Sequence, residues 1–322
     1  MIYRKRDSAS YNPLIFQLSM GSYTISVNYS EVTDESCLEF SHVHTDFEIY
    51  YCLEGTMHLM AGDRCIEMGE NTFAVLAPGL YHNTLYEPKS PKRYFIFVFE
   101  TPVKNVARSR ADGSEQMDAY LEKVIYHICG EGVVTGSDRF DCRHIINNLA
   151  NEMELDMPGR DEMIRTFYKG YLIHIFRNLD ISPELKDQPV MQGNVNLALE
   201  LTRFMHENYN KNISVRDAAE AFHISERHVG RIFDKYFGKS FKNTLNIYRI
   251  NYAKNYLMDT DYSIEKIAGL VGISSTRKFH QLFREMENMT AAEYRERHKG
   301  TTSHYGVPRE IPDPENLPEA ER

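Results

Sequence analysis

Between residue 23 and about residue 100, apolar and polar positions fall into short runs rich in β-branched and aromatic residues: 23–29, 47–53, 56–61, 72–76 and 94–99. Turn residues punctuate them at Glu54-Gly55, Gly62-Asp63, Gly69-Glu70-Asn71 and Pro78-Gly79. Many short strands between such turns predict a sandwich or a small barrel. Beyond residue 114 the period lengthens, and Met117, Leu121, Val124, Ile125 and Ile128 fall on one helical stripe. Two more helices are predicted at about 140–155 and 161–179, separated by Met157-Pro158-Gly159. This helical layer either completes the core of the β domain or presents a face to a second subunit. Residues 181–194, with Pro183, Pro189 and Gly193, read as a linker. The Pro- and Glu-containing stretch after Gly300 reads as a disordered tail.

The region 195–298 repeats itself. Val229, Ile232, Phe233 and Tyr236 recur as Phe279, Leu282, Phe283 and Met286, each displaced by 50 residues, and each set makes one apolar helix stripe. Ser225 and Ser275 stand four residues before each stripe, where a hydroxyl caps free backbone N–H groups. Upstream of each Ser is a shorter helix, 215–222 with Ala218-Ala219 and 264–270 with Ile267-Ala268, in which the small Ala lets the next helix approach. A short helix, a tight turn and a second amphipathic helix make a helix-turn-helix unit, and two units in register predict a DNA-reading domain.

A chain of 322 residues is long for one core, so two domains are expected, and 42% hydrophobic with 26% charged residues is globular composition. The net charge of −9 argues against nucleic acid until it is divided: residues 195–298 carry 16 Lys and Arg against 13 Asp and Glu, so the acidity lies elsewhere. Cysteines 37, 52, 65, 129 and 142 contain no Cys-x-x-Cys pair, which suits reduced thiols. With no long apolar run and no apolar segment after Arg4, Lys5, Arg6 and Asp7, the chain is expected to be cytoplasmic, with no membrane partner.

The repeated region closely resembles the DNA-binding domain of the AraC/XylS family of transcription regulators. The resemblance runs through residues 213–219, 225–233, Gly238-Lys239-Ser240-Phe241, Arg249-Ile250, Ala253, Leu257, 263–268, Gly272-Ile273, 279–283 and 290–295. The departures are Ile273 where the family usually has Phe, Asn288 where it has Gly, and Ala291 where it has Pro. Asn tolerates the left-handed conformation, and Thr290 with Glu293 offers a capping box. The resemblance implies base-reading positions at Arg227, Gly230, Arg231, Thr276, Arg277, His280 and Gln281. Arg reads guanine bidentately, Gln reads adenine and Thr packs on a thymine methyl. Lys239, Lys242 and Lys278 are candidate phosphate contacts. Gly230 costs about 1 kcal/mol in a helix interior relative to Ala, so it either permits close approach to DNA or leaves that position unread.

Residues 42–55 carry His42, His44, Glu48 and Gly55 in the spacing of a first cupin motif, and the stretch from Gly69 to His82 resembles the second. His42, His44 and Glu48 share a face if the segment is a strand, and His82 arrives from another. Three imidazoles and one carboxylate suit a divalent metal, or hydrogen-bond a polar effector, or one another. The resemblance implies a metal-free barrel that takes a sugar or related metabolite, with no cofactor; Tyr50, Tyr81 and Tyr94 are candidate pocket aromatics.

The expected fold is α+β. Residues 1–110 form an N-terminal arm and a cupin-like barrel, 111–180 a helical layer that can dimerise, 181–194 the linker, 195–298 the two helix-turn-helix units and 299–322 the tail. The expected function is that of an effector-responsive regulator, an activator and not an enzyme, with promoter DNA, RNA polymerase and a small polar effector as partners. The alternative, a metal-dependent cupin oxygenase or isomerase, leaves the duplicated helix-turn-helix unexplained.

Overall fold

The computed structural model of the chain describes residues 16–37, 39, 41–87, 89–105, 114–179, 181 and 189–298. The expected tail at 299–322, the arm before residue 16 and residues 182–188 of the expected linker lie outside these residues.

The N-terminal half is built on antiparallel strands β1 (Phe16–Met20), β2 (Tyr23–Asp34), β3 (Phe47–Ala61), β4 (Arg64–Gly69), β5 (Thr72–Leu76), β6 (His82–Thr84), β7 (Lys92–Phe99), β8 (Val103–Lys104) and β9 (Val133–Ser137). Their order is β1-β2-β7-β3-β5-β9, with β4 and β6 also paired to β3 and β8 to β2. The runs 47–53 and 56–61, read as two strands with a turn at Glu54-Gly55, are one long strand. The register slips between Cys52 and Glu54, and Gly55 takes φ +76°. This bulge bends β3, so its first half pairs with β5 and β7 and its second half with β4 and β6.

Alternation along the sheet serves two cores. Phe47, Ile49, Tyr51, Phe73, Val75, Phe95, Phe97 and Phe99 pack outward under the helical layer. Tyr50, Cys52, Ala74, Leu76, Tyr94, Ile96 and Val98 pack inward. Helices α1 (Ser114–Glu131), α2 (Cys142–Glu154) and α3 (Arg160–Asn178) form the layer, close to the ranges the periodicity predicts. Strand β9, between α1 and α2, is an addition to that reading and extends the sheet at β5.

Helix α4 (Pro189–Asn208) starts inside the expected linker, so residues 189–194 are its first turns and not a flexible connection. Pro suits that position, because the first helical N–H groups have no partner. The remaining helices are α5 (Val215–Ala221), α6 (Glu226–Phe237), α7 (Phe241–Asp259), α8 (Ile264–Leu270), α9 (Thr276–Glu287) and α10 (Ala291–His298). Both repeated serines cap as expected: Ser225 accepts from the His228 N–H at 3.2 Å and Ser275 from the Lys278 N–H at 3.3 Å. Asn288 ends α9 at φ +54°, and the Thr290–Glu293 box closes with Thr290 N–H donating to Glu293 at 2.7 Å and Glu293 N–H to Thr290 at 3.2 Å. Val229, Ile232 and Phe233 of α6 and Phe279, Leu282 and Phe283 of α9 are buried around α7 in one continuous core.

A Cβ at Gly55 would lie 2.3 Å from the Pro91 carbonyl oxygen, on a backbone already left-handed. Gly55→Ala is therefore expected to destabilise the chain by about 2 kcal/mol or more. A urea midpoint equal to that of the parent would contradict the bulge as described.

Candidate ligand-binding and DNA-reading sites

The N-terminal site is a buried polar cluster. Glu48 enters from β3 with no exposure, and its Oε2 lies 2.8 Å from His44 Nε2 and 2.6 Å from His82 Nε2. His42 Nε2 is 3.9 Å from the same oxygen, and its ring centre lies 4.3 Å from that of His82. The four expected residues are thus together, but not as a shared strand face. His42 and His44 precede β3 in an irregular segment, where His42 makes an isolated bridge to His82. Backbone carbonyls orient the rings, since His44 Nδ1 faces Asp46 O at 3.0 Å and His82 Nδ1 faces Leu80 O at 2.7 Å.

Burial pushes the Glu48 carboxyl upward, but the facing His82 charge and the hydrogen bonds from both imidazoles outweigh it and hold Glu48 below the ordinary carboxylate range. Burial pulls His44 down, and the Glu48 hydrogen bond and charge more than reverse this. Glu48 Oε1 is buried without a hydrogen-bond partner, a polar atom in a position to receive one.

Glu39 joins this site although the sequence did not single it out. It is buried between β2 and His42, receives the Tyr50 hydroxyl and accepts the Thr84 N–H at 2.7 Å. Burial first, then the Glu48 charge, raise its carboxyl. Its only signal in the sequence is an acid inside the short apolar run Cys37-Leu38-Glu39-Phe40. Tyr50 and Tyr94 are fully buried in the same interior, with ring centres 6.5 Å apart. Tyr81 is not among them: it turns away and packs on the apolar core of the helical C-terminal half.

The ligand atoms of His42, His44, Glu48 and His82 lie within 4.8 Å of one another. Three nitrogens and a carboxylate at that spacing fit a divalent first-row ion. The same groups also suit a polyhydroxylated ligand, with carboxylates to accept and imidazoles and phenols to donate.

In the C-terminal half, Arg227 and Arg231 are exposed on α6, and Arg277, His280 and Gln281 are exposed on α9; Gly230 and Thr276 are half-buried on the same helices. Lys242 and Lys278 are exposed and Lys239 half-buried. Gln281 donates to Glu285 at 2.7 Å. A Cβ at Gly230 would meet no atom within 4 Å, so packing inside the protein does not call for glycine there.

The two halves meet at the polar cluster. A Cβ at Gly79 would be 2.5 Å from the Phe237 ring at the end of α6, and Lys254 of α7 is buried with its amine donating to the Ser41 carbonyl and to Glu287 at 2.9 Å. His206 of α4 lies against this junction beside the Tyr252 hydroxyl at 2.8 Å.

Comparison with known proteins agrees with both halves. A model of the AraC-like ligand binding domain matches residues 32–134, and a helix-turn-helix domain model matches residues 218–297. The HTH-type transcriptional regulator YisR of Bacillus subtilis is 22% identical over 260 residues, covering 79% of this chain and 86% of the relative. The lactose operon transcription activator of Staphylococcus xylosus is 24% identical over 164 residues, covering 51% of this chain and 58% of its own. The melibiose operon regulatory protein of Escherichia coli is 29% identical over 96 residues, 30% of this chain and 32% of that one. In fold, a crystal structure of ToxT from Vibrio cholerae matches with a TM-score of 0.50 at 13% identity, covering 84% of this chain and 99% of that one. Among the described residues no helix is long and apolar enough to cross a membrane.

Burial lowers the proton affinity of His206 from its ordinary 6.5. The unfolded chain then binds the proton more readily, so stability declines as the pH falls below about 6.5. His206→Gln is expected to flatten that part of a melting-temperature profile between pH 7 and 5; an unchanged slope would contradict a neutral, half-buried His206.

Proposed function

The chain belongs to the AraC/XylS family of DNA-binding transcription regulators, with a ligand-binding domain ahead of a helix-turn-helix domain, and we propose from that premise that it is an activator responding to a small sugar-like effector. The observation that carries the DNA half is the pair of capped recognition helices, α6 and α9, repeated at 50 residues and joined by α7. Arg227, Arg231, Thr276, Arg277, His280 and Gln281 read base edges, and Lys239, Lys242 and Lys278 hold phosphates. Gly230 lets α6 approach the DNA closely, consistent with the empty space around it. The two helices enter successive major-groove segments about 34 Å apart, so one chain reads an asymmetric site.

The effector sits at His42, His44, Glu48 and His82 with Glu39, Tyr50 and Tyr94 around it. Two carboxylates among imidazole and phenol donors supply the mixed acceptors and donors that sugar hydroxyls need. Two of the named relatives regulate lactose and melibiose operons, which favours a sugar here. Binding changes how the ligand-binding domain holds the helix-turn-helix domain, and so alters DNA occupancy or contact with RNA polymerase in the cytoplasm. Pairing of two chains through the helical layer belongs to the same reading, supported by the exposed Leu155, Met157 and Met163 at the α2–α3 end.

A second reading is favoured by the convergence of four ligand atoms within 4.8 Å: a divalent metal held by His42, His44, Glu48 and His82, which would supply a Lewis-acid centre for binding an effector oxygen. Stoichiometric metal in purified protein, lost in Glu48→Gln, selects it over the metal-free site.

Two measurements test the main reading. Arg231→Ala and Arg277→Ala are each expected to weaken binding to a duplex selected by the parent chain by about 1–3 kcal/mol and relax sequence preference, whereas Lys242→Ala weakens all duplexes alike. Unchanged preference in both Arg variants would sink the assignment. In a thermal-shift panel of sugars and sugar acids, a true effector raises the melting temperature by mass action and His44→Ala abolishes the rise. A full rise in that variant would remove His44 from the site.

A further inference from the structure

The segment Ser41-His42-Val43-His44 has two working faces. His42 and His44 turn to Glu48 inside the ligand-binding domain. Between them, Val43 is buried in the apolar core of the helix-turn-helix domain, together with Leu201, Met205 and Tyr248. One residue before His42, the Ser41 carbonyl accepts from Lys254, whose amine also bonds Glu287 at the end of the second recognition helix. The segment is stitched to the start of β6 and the loop ahead of it by backbone hydrogen bonds: His42 and His82 exchange both at 2.9 and 3.0 Å, and Gly79 N–H donates to His44 O at 2.8 Å. That loop in turn touches the end of the first recognition helix through Gly79 and Phe237. Alternate residues of one short segment therefore contact the polar cluster and the DNA-binding domain.

We propose that residues 41–44 are the coupling element of this regulator, that Lys254 is the positioning residue that clasps it to both the connecting helix and the second recognition helix, and that Val43 is the second point of engagement. This rests on the sensing role assigned above to the polar cluster. The physical reason is a shared backbone: His42 and His44 flank Val43 and follow Ser41 directly, so a backbone shift that accompanies binding at the two imidazoles also moves the Ser41 carbonyl and Val43. Lys254 contributes no contact to the cluster itself, so its effect is on transmission.

The test is a double-mutant cycle on the full chain, read as the dissociation constant for a duplex selected from a random pool by the parent protein. Glu48→Gln perturbs the cluster, and Lys254→Met removes the clasp while keeping length and apolar packing. Glu48→Gln is expected to shift DNA affinity by about fivefold or more in the parent, within the usual range of allosteric coupling, and by less than about twofold on the Lys254→Met background. An equal shift on both backgrounds overturns the clasp and leaves the sensing site standing. No shift in the parent overturns the sensing reading and the clasp with it. If Glu48→Gln does not fold by circular dichroism, His44→Asn takes its place, and Val43→Ala replaces Lys254→Met on the same terms.

Discussion

A carboxylate with no exposure must be matched by donors or be neutralised, because its transfer from water is otherwise prohibitive. Glu48 meets that requirement with imidazoles from two separate segments, His44 before β3 and His82 at the start of β6. Satisfying one charge therefore binds two loops to each other, and those loops are the platform on which the helical domain rests. The same match leaves Glu48 Oε1 with capacity unused. The site is thus both a structural knot and a place where a ligand's hydroxyl or a cation has something to bind.

The helical domain depends on a different constraint, a repeated amphipathic pattern around a shared central helix. Each recognition helix buries three stripe residues and leaves its opposite face to solvent, so the reading face is whatever the core does not take. The short helices and serine caps set where each recognition helix begins, and the core around α7 holds the two at a fixed separation.

Much of this half was legible in the residues because its signals are local. A stripe, a hydroxyl four residues ahead of it and an Asn or Gly at the end each act within one or two turns, and Ser225, Ser275, Asn288 and the Thr290–Glu293 pair all do what their chemistry suggests. The sheet was less legible. Strand β3 is buried on both faces over its first half, which erases the alternation that marks a strand, and its bulge at Gly55 imitates a turn. Strand β9 hides between helices because only Val133 of it is buried, and what marks it as a strand is its distant pairing with β5. At the site, His42, His44, Glu48 and His82 were visible as a spacing, although an irregular segment and not a strand brings the first two in. Glu39 and Lys254 carry no pattern of their own, since their roles arise from contacts 45 and 213 residues away in sequence. Tyr81 was read with Tyr50 and Tyr94 as a pocket aromatic, but it lies just ahead of β6 and packs on the core of the other domain.

Two helices of one chain, on the function proposed above, read DNA in successive turns of the major groove. Hydroxyl-radical footprinting of the full chain on its selected duplex tests that reading most directly. Two protected stretches are expected on one face of the duplex, centred about 10 base pairs apart, with Arg231→Ala weakening protection in one and Arg277→Ala in the other. A single protected stretch, or one lost as a whole in either variant, would contradict it.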